Sequence, residues 1–224
     1  AILKFIVASG GRPVFKDVLI DTFWRGAEPE AARKNLYVAI HGLRQAFKAV
    51  QPDFPYILFY DDHYFLNPDM EVWVDIEEFD KHFQAGQSLE RRGALAEATL
   101  EFEVAERLYT GDLLEDDLYE EWIFPLRQSL KENYIILLDH LSRYYLAEGN
   151  YHACIKFCQK LLARDNCHED THRRLICAYS RQGKRSLAVR QYQLCTETLQ
   201  RELGVAPMAE TATLYQRLCA GEAV

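Results

Sequence analysis

The sequence predicts a mainly α-helical chain in two parts, the first closed by a β-hairpin and the second built from repeated helical hairpins. Three patterns carry this. Leu36, Ile40, Leu43, Phe47 and Val50 recur at spacings of four, three, four and three, the stripe of one long amphipathic helix. Tyr56 to Tyr60 and Tyr64 to Leu66 are aromatic and apolar runs around Asp61-Asp62-His63, the pattern of a hairpin. Gly149 and Gly183 lie 34 residues apart, and at that offset Leu141 matches Leu175, Tyr145 matches Tyr179, Cys154 matches Ala188 and Cys158 matches Tyr192.

Length and composition set the frame for these elements. At 224 residues the chain can bury two modest cores, and 49% hydrophobic with 27% charged residues is the balance of an ordinary globular protein. No apolar run approaches the ~20 residues needed to span a bilayer, so no membrane role is expected. All six cysteines stand at or after Cys154 and no secretory leader is visible, which predicts a reducing cytoplasm without disulfides. The chain begins at Ala1, inside an amphipathic pattern and without Met, as a piece of a longer protein would.

The net charge of −8 argues against non-specific nucleic-acid binding by the chain as a whole, but the charge is uneven. Residues 1–50 hold eight basic against four acidic residues. Residues 51–84 reverse this, with nine acids against Lys81 alone, and Lys156 to Arg201 swings back to ten basic against four acidic. The mean hides two basic surfaces.

In the first part, Ile2, Leu3, Phe5, Ile6 and Val7 form a short apolar helix stopped by Gly10-Gly11, and Pro13 starts a turn. Val18, Leu19, Ile20, Phe23 and Trp24 give a second helix, ended by Gly26 and Pro29. Opposite the apolar stripe of the third helix lie Lys34, Val38, His41, Gln45 and Lys48, flanked by Arg33, Tyr37 and Arg44. Three helices followed by a hairpin make a winged helix-turn-helix over residues 1–70, a fold whose third helix enters the major groove with its polar face toward base edges. These eight residues are the candidate DNA contacts; the bland alternative is a solvated basic face.

Residues 71–224 read as a tetratricopeptide-like helical repeat domain, because a 34-residue period is that of helical hairpins that hide their apolar faces against each other. An earlier copy centres on Gly93, Ala98 and Phe102. It lies 56 residues before the next, so something is inserted. Trp122, within that insert and just before Pro125, is expected to bury against neighbouring helices and fix it.

Two resemblances follow from particular residues. Gly11-Arg12-Pro13-Val14, Leu19-Ile20-Asp21, Phe23-Trp24, Ala32-Arg33, Leu36, Val38, Ile40, Leu43-Arg44 and Tyr64 with Leu66 resemble the DNA-binding domain of response regulators. That family places a short sheet ahead of the first helix, which this chain lacks. It also carries a basic residue where Gly42 stands and a Gly-rich basic wing where Asp61 and Asp62 stand, acids that phosphates repel. Tyr109-Thr110-Gly111-Asp112-Leu113-Leu114-Glu115-Asp116, Glu121-Trp122 and the tail Glu202-Leu203-Gly204, Pro207, Glu210, Leu214-Tyr215 resemble the bacterial transcriptional activator domain of the Streptomyces antibiotic regulatory protein family, over about residues 73–219. This resemblance implies a promoter-binding activator that pairs on direct repeats of double-stranded DNA and contacts RNA polymerase.

The residues offer two rival chemistries. Cys154, Cys158, Cys167-His168 and His172 could hold zinc, but the repeat register places Cys154 and Cys158 where helices pack, as small buried thiols, and puts His168 and His172 on the polar side of a helix starting near Asp170. No metal or cofactor is expected. Arg173, Arg174, Arg181, Lys184, Arg185 and Arg190 crowd one hairpin and suit a nucleotide effector, but a solvated basic face or a contact for an acidic partner such as Glu115-Asp116-Asp117 with Glu120-Glu121 is favoured. No Gly-rich phosphate loop accompanies them, and no nucleophile or base motif stands anywhere, so no enzymatic activity is expected. The expected function is a sequence-specific transcriptional activator; the alternative is an interaction or anionic-ligand-sensing module of a larger regulator with weak DNA binding.

Overall fold

The computed structural model describes residues 1–48, 50–117 and 120–222. Its contacts divide the chain into Ala1–Glu77 and Glu78–Val224.

The first unit runs α1 (Ile2–Ala8), β1 (Val14–Phe15), α2 (Lys16–Phe23), α3 (Pro29–Lys48), β2 (Ile57–Tyr60) and β3 (His63–Leu66). The three strands form an antiparallel sheet in the order β1-β3-β2, with Val14 opposite Tyr64 and Phe59 opposite Tyr64 from the other side. Ile2, Ile6, Leu19, Leu36, Ile40, Ile57 and Tyr64 make the core, so each predicted apolar stripe contributes. At about 25 cal/mol for each Å² of apolar surface withdrawn from water, this shared core is what holds helices of seven and eight residues that would not persist alone.

Three details depart from the sequence reading. The sequence puts Val14-Phe15 in the turn that Pro13 starts, but they form β1; two residues are too few to show a period. The hairpin turn is the pair Asp61-Asp62 alone, both with positive φ (47° and 62°), and His63 belongs to β3. This is the conformation of a two-residue turn whose twist matches its strands. Spacing extends the buried stripe of α3 to Val50, but the helix ends at Lys48 and Val50 is 78% exposed. A stripe read from spacing alone runs on until the backbone leaves the helix.

Helix α4 (Asp75–Arg91) starts just before the boundary, and the second unit continues with α5 (Leu95–Leu108), a 3-10 turn (Glu121–Ile123), α6 (Phe124–Ala147), α7 (Tyr151–Leu162), α8 (Glu169–Arg181), α9 (Arg185–Leu203) and α10 (Ala209–Ala220). Helices α4/α5, α6/α7 and α8/α9 form three hairpins, each turned by a glycine in the left-handed region: Gly93, Gly149 and Gly183. After α8 the Lys184 N–H reaches back to Tyr179 O at 2.9 Å, closing the helix end in the way a left-handed residue allows. The 34-residue register is realised in the packing. Leu141 and Leu175 are both buried, Tyr145 and Tyr179 pack on one cluster, and Cys154, Cys158 and Ala188 lie wholly inside. Helix α10 closes the end, with Leu218 buried and Tyr215 stacked on Tyr192 at 3.9 Å.

The insert is held by arginines. Arg127 donates to Leu113 O and Leu114 O, each at 2.8 Å, and Arg164 donates to Asp112 at 2.8 Å while lying over the stacked rings of Tyr109 and Tyr134. Trp122 is only half-buried, its indole N–H donating to Glu120 at 2.8 Å. The neighbouring Ile123 is the fully buried anchor, which corrects the part given to the tryptophan. Among the described residues no helix is long and apolar enough to cross a membrane.

Candidate nucleic-acid interface

Helix α3 begins with Pro29, whose fixed φ suits the first turn and whose missing N–H is no loss there. Ala32, Leu36 and Ile40 turn inward onto the core, with Leu43 and Phe47 packed against it. The remaining positions are set by that choice. Arg33, Lys34, Tyr37, Val38, His41, Gln45 and Lys48 are all exposed, Tyr37 at 56% and Val38 at 64%.

Their order along the helix is uneven in charge. Arg33 and Lys34 stand near its start and Lys48 at its end, while between them Tyr37, Val38, His41, Gly42 and Gln45 carry no fixed charge and Arg44 adds one. His41 and Gln45 are in contact at 3.4 Å. Basic ends can meet phosphates, which position a protein on a duplex; a stretch between them that mixes amide, imidazole and apolar groups has what base edges offer partners for.

Arg44 differs from the other seven. Its guanidinium donates twice to the main-chain carbonyl of Ile57, from Nε at 3.1 Å and Nη2 at 2.8 Å, so it braces α3 against β2. Spacing could not show this, because the acceptor lies 13 residues ahead in a strand.

The hairpin turn and the start of α2 meet on this unit. Lys16 N–H donates to Asp62 O at 2.8 Å, and Lys16 Nζ lies 2.8 Å from Asp62 Oδ1. The carboxylate raises the pKa of the lysine above its ordinary value by hydrogen bonding to its charged form. Burial likewise pushes the Tyr64 phenol up. Nothing in the sequence marks Lys16, since its partner stands 46 residues away.

The basic residues of the α8/α9 hairpin do not form one free patch. Arg174 is buried and donates to Asp139 O, to the Asp139 carboxylate and to Thr171 Oγ1. Arg173 is taken up by Asp170 and by Thr211 Oγ1, and Arg185 donates to Cys219 O at 2.7 Å. Arg181, Lys184 and Arg190 are exposed. Placing all six on one anion-binding surface is therefore corrected: Arg174 faces the core between α6 and α8, where an arginine without a partner could not stay.

His172 is corrected in the same way. It is buried, with Nε2 on Asn166 O at 3.0 Å and Nδ1 on Gln191 at 2.7 Å, and burial pulls its pKa below the ordinary value. His168 stands immediately before α8 with Nδ1 at 2.9 Å from Thr171 Oγ1. The sulfurs of Cys154 and Cys158 are 3.9 Å apart inside the α7/α8 packing. Among the described residues no three His, Cys, Asp or Glu side chains converge as metal ligands do.

A first unit with three helices and a small sheet, followed by three helical hairpins, defines a class: a small helical module joined to a repeat domain. The second part carries the family assignment. Residues 74–219 match the bacterial transcriptional activator domain, and the chain belongs to that family. It is similar to the transcriptional regulatory protein MoaR1 of Mycobacterium tuberculosis, 23% identical over 219 residues that cover 97% of this chain and 70% of MoaR1. It is also similar to the transcriptional regulatory protein EmbR of Mycobacterium bovis, 23% identical over 218 residues, 97% of this chain and 56% of EmbR. The solved structure of Mycobacterium tuberculosis EmbR, in complex with a low affinity phosphopeptide, superposes with a TM-score of 0.73 over 99% of this chain and 60% of that one, at 23% identity. The shared fold thus includes the first unit, and these relatives are transcriptional regulators.

Proposed function

We propose that the first unit is a winged helix-turn-helix, that α3 is its recognition helix, and that the chain is the DNA-binding and activating part of a transcription regulator. The observation that carries this is the outward face of α3, with Arg33, Lys34 and Lys48 toward its ends and Tyr37, Val38, His41 and Gln45 between them, on a helix whose other face is committed to the core. Arg33, Lys34 and Lys48 are assigned to phosphates, and Tyr37, Val38, His41 and Gln45 to base edges. Arg44 sets the angle between helix and hairpin. The hairpin β2–β3 is the wing in this reading. The activator-domain family supports an activating role for the second unit, with RNA polymerase as partner and a paired arrangement on direct repeats.

Selection of duplexes from a random-sequence pool by the chain tests the reading. An enriched sequence is expected, and Arg33→Ala with Lys34→Ala should weaken binding to every sequence, lowering the slope of log K against log salt by about two, since each lost phosphate contact removes roughly one unit. Thermal stability should not move, because both side chains are exposed. No enrichment, or a double variant with unchanged salt slope, refutes it.

A further inference from the structure

The acidic tip of the β2–β3 hairpin is out of place on a surface that meets phosphate, yet Asp62 is not a free charge. Three observations tie it to Lys16. The two side chains pair at 2.8 Å, the Lys16 N–H is bonded to the Asp62 carbonyl at 2.8 Å, and the ladder continues into Phe15 opposite His63, whose rings lie 5.2 Å apart. The ammonium is therefore carried at a fixed place, at the first residue of α2, and is not a flexible surface lysine. Lys16 is bonded to the tip of the hairpin taken above as the wing, so on that reading it stands where the duplex backbone would pass.

On the DNA-binding reading above, we propose that Lys16 is a phosphate-binding residue of this face, and that Asp62 occupies it in the free protein, so that the hairpin tip and a DNA phosphate compete for one ammonium. A carboxylate at hydrogen-bond distance presents two oxygens, as a phosphate does, and here it is supplied in cis by a rigid two-residue turn. The contact lowers affinity for all DNA equally and leaves sequence preference to α3. It raises the threshold for non-specific binding in a chain whose α3 is otherwise basic at both ends.

The competition is weak enough to be reversible. Lys16 and Asp62 are 27% and 50% exposed, and an exposed pair is worth at most a few-fold in an equilibrium. Asp62→Asn keeps the turn, because asparagine tolerates positive φ, and removes the competitor. Binding to a random-sequence duplex should tighten about two- to five-fold, with Lys16 meeting a phosphate in both complexes.

Two further variants separate release of Lys16 from mere loss of a negative charge. Asp61→Asn removes an equally acidic neighbour, and its smaller gain should be the same with or without Lys16→Gln. The gain from Asp62→Asn should shrink to that of Asp61→Asn once Lys16→Gln is present. A full gain from Asp62→Asn in the Lys16→Gln background, or equal gains for the two aspartate variants, overturns the proposal while leaving the DNA reading intact. Failure of the wild-type chain and every variant to bind duplex overturns both.

Discussion

Gly86 offers a test in which two ordinary rules point in opposite directions. It lies inside α4, a helix interior where replacing glycine by alanine normally adds up to about 1 kcal/mol by helix propensity. Yet Gly86 is buried against α5. A methyl group there would stand 2.7 Å from Phe102 Cε1, 2.8 Å from Cδ1 and 3.0 Å from Cζ, roughly 1 Å inside a normal carbon contact. The ring has nowhere to retreat: Phe102 is fully buried, between Phe83 at 6.0 Å and His140 at 4.6 Å. His140 is itself pinned by Thr99 Oγ1 at 3.1 Å and Glu90 at 2.9 Å. Overpacking a core of this kind costs about 1–3 kcal/mol, more than the propensity gain, so Gly86→Ala should destabilise the chain by about 1–2 kcal/mol. Urea unfolding followed by circular dichroism should show a lower midpoint with an unchanged m-value. In a Phe102→Leu background, where the ring is gone, the same substitution should become neutral or stabilising, a coupling of about 1–2 kcal/mol. A Gly86→Ala protein more stable than wild type would refute the packing argument for the α4/α5 hairpin.

Arg44→Ala should cost about 1–2 kcal/mol by losing two charge-assisted bonds to one carbonyl, whereas Lys48→Ala, equally basic and exposed, should cost nothing measurable. Urea midpoints of the two variants decide this, and equal effects would return Arg44 to the free basic face. Stability should also fall on mild acidification through His172. Burial lowers its folded pKa, so folding favours the neutral ring, and its contribution is complete above the unfolded value near 6.5 and lost as pH falls through the lower folded pKa. Melting curves across that window should flatten in His172→Gln; an unchanged pH dependence would show that the ring is not protonated on unfolding.

Much of this fold is legible from one strand of sequence because its elements are periodic and local. A helical hairpin turned by a left-handed glycine repeats the same demands every 34 residues, so Gly149 and Gly183 mark the turns and Cys154 and Ala188 mark the packed positions before any coordinates exist. What escapes is short or non-periodic. Strand β1 has only two residues, and the end of α3 falls between Phe47 and Val50, residues that continue the stripe equally well on paper. The insert is similar. Nothing in its order distinguishes the half-buried Trp122 from the fully buried Ile123 beside it, because an indole offers a polar N–H that the short loop satisfies locally while an isoleucine has no such option.

The candidate interface divides along the same line. A helix wheel sorts α3 correctly into inner and outer faces, because burial of Leu36 and Ile40 determines the direction of every other side chain. A wheel carries no information about partners outside the helix. Arg44 and Arg174 both look like available cations in sequence, and both are spent on main-chain carbonyls of other elements, Ile57 and Asp139. Lys16 shows the converse: it looks unremarkable in sequence and acquires its meaning from an aspartate on the hairpin tip. The distinction matters for how charge is read in this family of folds. A basic residue contributes to a nucleic-acid surface only if its hydrogen-bond donors are unspent or held by something that phosphate can displace. On that criterion α3 retains Arg33, Lys34 and Lys48, the first unit gains Lys16, and the α8/α9 hairpin loses Arg174 outright while Arg181, Lys184 and Arg190 stay exposed.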